Sequence, residues 1–235
     1  MGLVSGPRII VALDYASERA ARSLVEQLDP KLCRLKVGKE LFVRAGPGIV
    51  EHLTGAGFDV FLDLKFHDIP NTVANACAAA ADLGCWMVNV HAGGGLKMMQ
   101  AASERFAALR EAPILIGVTV LTSLDADQLE AIGFKETPEQ LVVRLARLTA
   151  EAGLAGVVCS PREIGDLRAE HNADFALVTP GIRPPGSSVD DQARIAAPQA
   201  AISAGASFLV IGRPITAAEQ PLQALLDIRA SISGD

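Results

Sequence analysis

The sequence predicts a (β/α)8 (TIM) barrel, and three observations carry that prediction. Eight short apolar runs rich in β-branched residues recur along the chain without polar alternation, as strands buried on both faces of a parallel sheet require. Segments with helical spacing lie between them. The strand starts fall roughly 28 residues apart, one βα unit each, and eight such units fit a chain of 235 residues, near the ~250 usual for this barrel.

In chain order the predicted strands are Ile9–Leu13, Leu32–Val37, Val60–Leu64, Met87–His91, Ile114–Val120, Gly156–Cys159, Phe175–Thr179 and Phe208–Ile211. Ser17 reads as the N-cap of a helix over Glu18–Leu28, and Pro70 opens an Ala-rich helix over Asn71–Leu83. Helices are also expected over Gly95–Leu109, Pro138–Ala152, Pro161–Arg168, Asp190–Ala204 and Pro221–Ile232. A doubly wound sheet would want G-x-G-x-x-G after its first strand, where the chain instead reads Asp14-Tyr15-Ala16-Ser17. Gly93-Gly94-Gly95 has the wrong spacing and reads as a tight turn before a helix. No linker, low-complexity tract or charge block divides the chain, so residues 1–235 are expected to form one barrel domain.

Composition narrows the function. Half the residues are hydrophobic and 20% are charged, which supports a large core and excludes disorder. Lys and Arg number 21 against 27 Asp and Glu, a net charge of −6. That balance argues against a nucleic-acid or anionic-membrane surface, yet permits a local basic pocket. The longest uncharged stretch, Ile195–Gly212, carries Pro198, Gln199, Ser203 and Gly205 and reads as a helix followed by a strand, not a membrane span. The opening MGLVSGP has no basic or apolar signal region, so a cytoplasmic location is expected. Cys33, Cys77, Cys85 and Cys159 form no C-x-x-C pair and read as buried, reduced hydrophobes.

In such a barrel the chemistry sits at the C-terminal ends of the strands. The polar residues there are Asp14, Lys36, Asp63, Lys65 and Asp68, then His91, Thr122, Ser160, Thr179 and Gly212-Arg213. Asp63 and Lys65 are two apart on a strand, so both side chains are predicted to leave one face. With Lys36 and Asp68 they make an alternation of ammonium and carboxylate groups. A salt-bridge network closing the barrel mouth would be the purely structural account of these charges. Buried ion pairs are poor stabilisers for the desolvation they cost, which favours a catalytic account. His67 and His91 could join Asp63 and Asp68 as metal ligands, but the interleaved lysines already supply the positive charge. No metal and no organic cofactor are therefore expected, and the two histidines read as local hydrogen-bonding residues. Thr179–Gly186 after the seventh strand and Ile211–Ile215 after the eighth combine Gly, Pro and the arginines Arg183 and Arg213. That is where barrels hold a phosphate, on backbone N–H groups and a guanidinium fork. Ile182–Val189, with Pro184, Pro185, Gly186, Ser187 and Ser188, suits a loop that closes over a ligand.

The run from Asp63 to Thr72 (DLKFHDIPNT) resembles the orotidine 5′-phosphate decarboxylase family in its shorter bacterial form. So do Ala12-Leu13-Asp14, Leu35–Gly38, Leu121-Thr122-Ser123, Thr179–Arg183 and Gly212–Ile215, in matching order along nearly the whole chain. The resemblance implies cofactor-free loss of CO2 from orotidine 5′-phosphate to give UMP, the last step of de novo pyrimidine synthesis. It implies that Lys65 protonates the C6 carbanion with Asp63, Asp68 and Lys36 beside it. Asp14 and Lys36 would hold ribose hydroxyls, Thr122 the pyrimidine, and Arg183, Gln192, Gly212 and Arg213 the phosphate or the closed loop. Asp68 and Thr72 would reach into the neighbouring site of a homodimer. A related rival is a Mg²⁺-dependent barrel of the 3-keto-gulonate 6-phosphate decarboxylase type, which Lys36 and Leu121-Thr122-Ser123 disfavour. A Schiff-base aldolase is disfavoured because flanking carboxylates keep Lys65 charged. A nucleotide sensor without catalysis is disfavoured by the intact charged set.

Overall fold

A computed structural model describes residues 5–184 and 196–233. Eight parallel strands close into a barrel in sequential order: β1 Ile9–Ala12, β2 Arg34–Gly38, β3 Val60–Phe66, β4 Met87–His91, β5 Ile114–Val118, β6 Gly156–Val158, β7 Ala176–Thr179 and β8 Phe208–Ile211. The barrel closes where Ile9, Ile10 and Val11 of β1 pair with Leu209, Val210 and Ile211 of β8. Each predicted strand is present, with ends that differ by at most two residues.

The outer ring contains α1 Glu18–Val25, α2 Lys39–Ala45, α3 Gly48–Gly55, α4 Pro70–Asp82, α5 Leu96–Ala107, α6 Ala126–Ala131, α7 Pro138–Glu151, α8 Ile164–Glu170, α9 Pro198–Ala204, α10 Arg213–Thr216 and α11 Pro221–Ser233. Ser17 caps α1 as expected, its hydroxyl accepting from the Ala20 N–H. Gly93 and Gly94 lie in a single 3-10 turn, and Gly95 enters α5 at φ +86°, a conformation that suits glycine. Three expectations need correction. The helix predicted over Pro161–Arg168 starts at Ile164, because the first residues form a turn closed by the Glu163 carboxylate, which accepts from the Ser160 N–H at 2.6 Å. The helix predicted over Asp190–Ala204 starts at Pro198, its first residues falling partly outside those described. The short helices α2, α3, α6 and α10 went unread.

Alternation along the strands sorts side chains into two cores. Ile9, Val11, Leu35, Val37, Leu62 and Val88 face outward and pack against the helices. Ile10, Ala12, Phe61, Met87, Ile116, Ala176, Val178, Phe208 and Val210 fill the barrel interior. The N-terminal end of the interior is closed by Arg34. Its guanidinium lies 4.1 Å from the Trp86 ring centroid and 5.1 Å from that of Phe208, and pairs with Asp59 at 2.9 Å. Arg34 also donates to the Pro7 carbonyl, tying the incoming chain over the barrel floor. With that end closed, the C-terminal mouth is left for a ligand.

Candidate active site

Arg34 points into the barrel, so Lys36, two residues further on β2, does so as well. Asp63 stands two residues beyond the interior Phe61 on β3 and follows the same rule. The Lys36 ammonium lies 3.3 Å from Asp63 Oδ2 and 3.3 Å from Asp14 Oδ1, and the Lys65 ammonium lies 2.6 Å from Asp63 Oδ1. The order in space is Asp14, Lys36, Asp63, Lys65. Lys36 and Asp63 are buried, whereas the Asp14 side chain is 69% exposed. Burial alone pushes the Asp63 pKa up, and this is the largest single effect. The ammonium groups of Lys36 and Lys65, with hydrogen bonds from Lys65 and Asn89, together outweigh it and hold the carboxyl below its ordinary range. For Lys36, burial pulls downward, but Asp63 and Asp14 prevail and raise the pKa.

Lys65 reaches Asp63 by a route that strand alternation does not describe. Leu62 pairs with Val88 and Phe66 with Val90, so β3 spends two extra residues between pairings. Lys65 sits in that bulge with φ +53°, the one positive-φ residue other than glycine among the described residues. Its released N–H donates to Asn89 Oδ1 at 2.8 Å, and Asn89 Nδ2 donates to Asp63 Oδ1 at 2.7 Å. Asn89 is fully buried on β4. Sequence reading missed it, although it is the polar residue in the Met87–Val90 run and shares the interior parity of Met87.

These groups border a cavity of ≈560 Å³ at the barrel mouth. Asp14, Lys36, Asp63, Lys65, Thr122, Arg183, Gly212 and Arg213 all line it, as do Ser123 and Thr216, which went unpredicted. Its floor is apolar, made by Ala12, Phe61, Val118, Val158 and Val210. Arg183 is buried, and its segment is pinned in place: the Arg183 N–H donates to Ala196 and the Ala196 N–H to Gly181. Gln192 and Ser187–Val189 lie outside the described residues. Asp68 and Thr72 are exposed and do not line this cavity; the Asp68 carboxylate accepts from the Ile69 N–H. Ser160 and Thr179 are buried beneath the mouth, also outside the lining. His91 Nδ1 accepts from Gly93 N–H, and its ring stacks on His67 with centroids 5.3 Å apart. The four cysteines are free and buried, with thiol pKa values pushed up to about 12, chiefly by burial. Among the described residues, no group of His, Cys, Asp and Glu is arranged to hold a metal ion.

A family model described as orotidine 5′-phosphate decarboxylase / HUMPS family matches residues 7–228. The chain belongs to this family. Within the orotidine 5′-phosphate decarboxylase / HUMPS family, a relative named orotidine 5′-phosphate decarboxylase from Nitrosococcus oceani is 60% identical over 226 residues, 96% of this chain and 97% of that protein. A relative of the same name from Halorhodospira halophila is 56% identical and covers 99% of both chains. Solved structures with the same barrel include orotidine 5′-phosphate decarboxylase from Lactobacillus acidophilus, with TM-score 0.86 and 38% identity over 95% of this chain and 98% of that one. A conserved protein of Geobacillus kaustophilus titled as uncharacterized gives TM-score 0.84 and 36% identity over 95% of this chain and 99% of that one. This member of the orotidine 5′-phosphate decarboxylase / HUMPS family thus carries an ammonium–carboxylate row, buried at Lys36 and Asp63, and two arginines in the lining of one cavity.

Proposed function

We propose that this chain is the decarboxylase of orotidine 5′-phosphate, giving UMP and CO2 as the final step of de novo pyrimidine synthesis, and that the whole chain acts as one catalytic barrel. The observation that carries the reading is the Lys36–Asp63–Lys65 row, which lines one apolar-floored cavity together with Arg183 and Arg213. Arg183, Gln192, Gly212 and Arg213 hold the phosphate; Asp14 and Lys36 hold the ribose, and Thr122 the pyrimidine. Loss of CO2 from C6 leaves a carbanion in the ring plane, where the π system does not delocalise it. The Lys65 ammonium stabilises that charge and then delivers its proton to C6, with no cofactor involved. Asp63, kept ionised by two ammonium groups and Asn89, orients Lys65 and faces the substrate carboxylate. Phosphate contacts remote from C6 supply binding energy that is realised in turnover.

Asp68 and Thr72 are exposed, and so is Ile69 beside Asp68, at 66%. A large apolar side chain so exposed beside polar site residues supports a homodimer in which Asp68 and Thr72 enter the neighbouring site. No described helix is long and apolar enough to cross a membrane, and buried free thiols suit a reducing, cytoplasmic setting.

The deciding assay is incubation with orotidine 5′-phosphate in excess EDTA, following loss of the orotate absorbance and appearance of UMP. Turnover under chelation is expected, because a Mg²⁺ ion beside Asp63 would confront two ammonium groups within 3.3 Å of that carboxylate. Activity that returns only with Mg²⁺, or only with a sugar phosphate such as 3-keto-gulonate 6-phosphate, would overturn the reading.

A further inference from the structure

We propose that Asn89 is the positioning residue of the charged row: its amide sets where Lys65 stands and keeps the transferable proton on that lysine. The inference rests on the decarboxylase reading for its kinetic readout only.

Over the stretch where β3 advances from Leu62 to Phe66, β4 advances only from Val88 to Val90. The surplus is taken up around Lys65, which adopts φ +53°. A residue bearing a Cβ gives up roughly 1–2 kcal/mol in that conformation, so something nearby must hold it there. The N–H that leaves the ladder is the Lys65 N–H, and it finds Asn89 Oδ1 at 2.8 Å. Because the carbonyl oxygen is used on that side, the NH2 faces the other way, onto Asp63 Oδ1 at 2.7 Å. The same oxygen accepts from Lys65 Nζ at 2.6 Å. One side chain therefore ties the Lys65 backbone to the carboxylate that holds the Lys65 ammonium. A flipped amide would set donor against donor and oxygen against oxygen. Only an amide of this length offers one acceptor and one donor here, and Asn89 is fully buried, so water does not substitute.

The second consequence is electronic. An ammonium 2.6 Å from a carboxylate can lose its proton to that carboxylate, which would neutralise both groups. The Asn89 N–H spends Asp63 Oδ1 on a neutral donor and lowers its basicity, so the proton stays on nitrogen. The other charged groups around this pair are Asp14 from the β1 end, Lys36 from β2, and Arg183 and Arg213 in the lining of the same cavity, with His91 two residues beyond Asn89 on β4. Burial, then His67, Lys65 and Lys39, lower the His91 pKa, so it adds no charge at neutral pH.

The test compares wild type, Asn89→Leu and Asn89→Asp with orotidine 5′-phosphate, with folding checked by circular dichroism. Wild-type turnover by itself decides the decarboxylase reading. For Asn89→Leu, kcat is expected to fall at least ~100-fold while KM changes less than ~3-fold, as for a loss felt at the reacting centre. Asn89→Asp keeps the acceptor for the Lys65 N–H, so the bulge survives, but the introduced carboxyl must share a proton with Asp63. Its activity is expected to persist at acid pH and fall as pH rises through loss of that proton, a limb the wild type lacks. If Asn89→Leu fails to fold, this profile carries the test alone. In the free protein, the carboxyl ¹³C signal of Asp63 is expected to titrate at higher pH in Asn89→Leu than in wild type. That readout holds even if orotidine 5′-phosphate is not turned over. Wild-type kcat in Asn89→Leu, a wild-type pH profile in Asn89→Asp, or an unmoved Asp63 titration would each overturn the proposal.

Discussion

Replacing Asp63 with Asn removes the charge between two ammonium groups while leaving the shape of the side chain almost unchanged. At an effective dielectric constant of ~20, contacts of 3.3 Å to Lys36 and 2.6 Å to Lys65 are each worth about 5–6 kcal/mol before desolvation is counted. Desolvation returns most of that, and removing one partner of a buried pair costs about 3–5 kcal/mol net. The lower end applies here, because the Lys65 side chain is 25% exposed and can turn toward water. Lys36 cannot: its side chain is 11% exposed, and its remaining partner, Asp14, is 69% exposed. A loss of about 3 kcal/mol, at ~2–4 °C per kcal/mol for a chain of this size, lowers Tm by ~6–12 °C. The pH dependence has a definite sign. The folded-state pKa of Asp63 lies below its ordinary value of 3.8, so its contribution is complete above that value and is lost as pH falls through the folded-state pKa. Lys36 behaves oppositely, contributing fully below its ordinary 10.5 and losing that contribution as pH rises through its higher folded-state pKa. Thermal unfolding of wild type and Asp63→Asn, followed by circular dichroism from pH 3 to 8, should therefore show the full Tm gap at pH 7 and convergence only toward the acid end. Equal Tm at pH 7, or a more stable variant, would refute the claim that this carboxylate keeps two ammonium groups in the barrel mouth.

Lys65→Ala removes both the proton donor and the nearest positive charge, so kcat should fall by a factor of about 10⁵, combining the usual sizes of those two losses; turnover within tenfold of wild type would sink the assigned role. Arg213→Ala should raise KM for orotidine 5′-phosphate, and lower kcat as well if phosphate binding energy drives loop closure; steady-state kinetics separate the two. Mixing the inactive variants Lys65→Ala and Asp68→Ala should restore about a quarter of the wild-type active sites at random reassortment, since half the dimers are mixed and each has one intact site. No recovery after demonstrated subunit exchange would argue against a site shared between subunits.

The barrel was legible because its signals are local. A doubly buried strand is apolar throughout, a helix start is marked by Ser17 or Pro70, and the two arginine loops follow strands seven and eight wherever those strands are recognised. Once the strands are placed, alternation sends Lys36 and Asp63 inward without further information. Lys65 shows where that reasoning ends. Its side chain meets Asp63, but through a bulge that exists only because β3 and β4 advance unequally, a relation between segments over 20 residues apart. The role of Asn89 is invisible for the same reason: its two hydrogen bonds go to groups that become neighbours only on folding. Asp68 and Thr72 carry site-type side chains in a run of ten residues with Asp63, yet the turn after β3 carries them out of their own cavity. Sequence by itself determined the eight strands, the longer helices, their order and the charges available at the barrel mouth, because periodicity and capping act within a few residues. Only the tertiary structure decided which of those charges meet, because register and burial are set by contacts between distant strands.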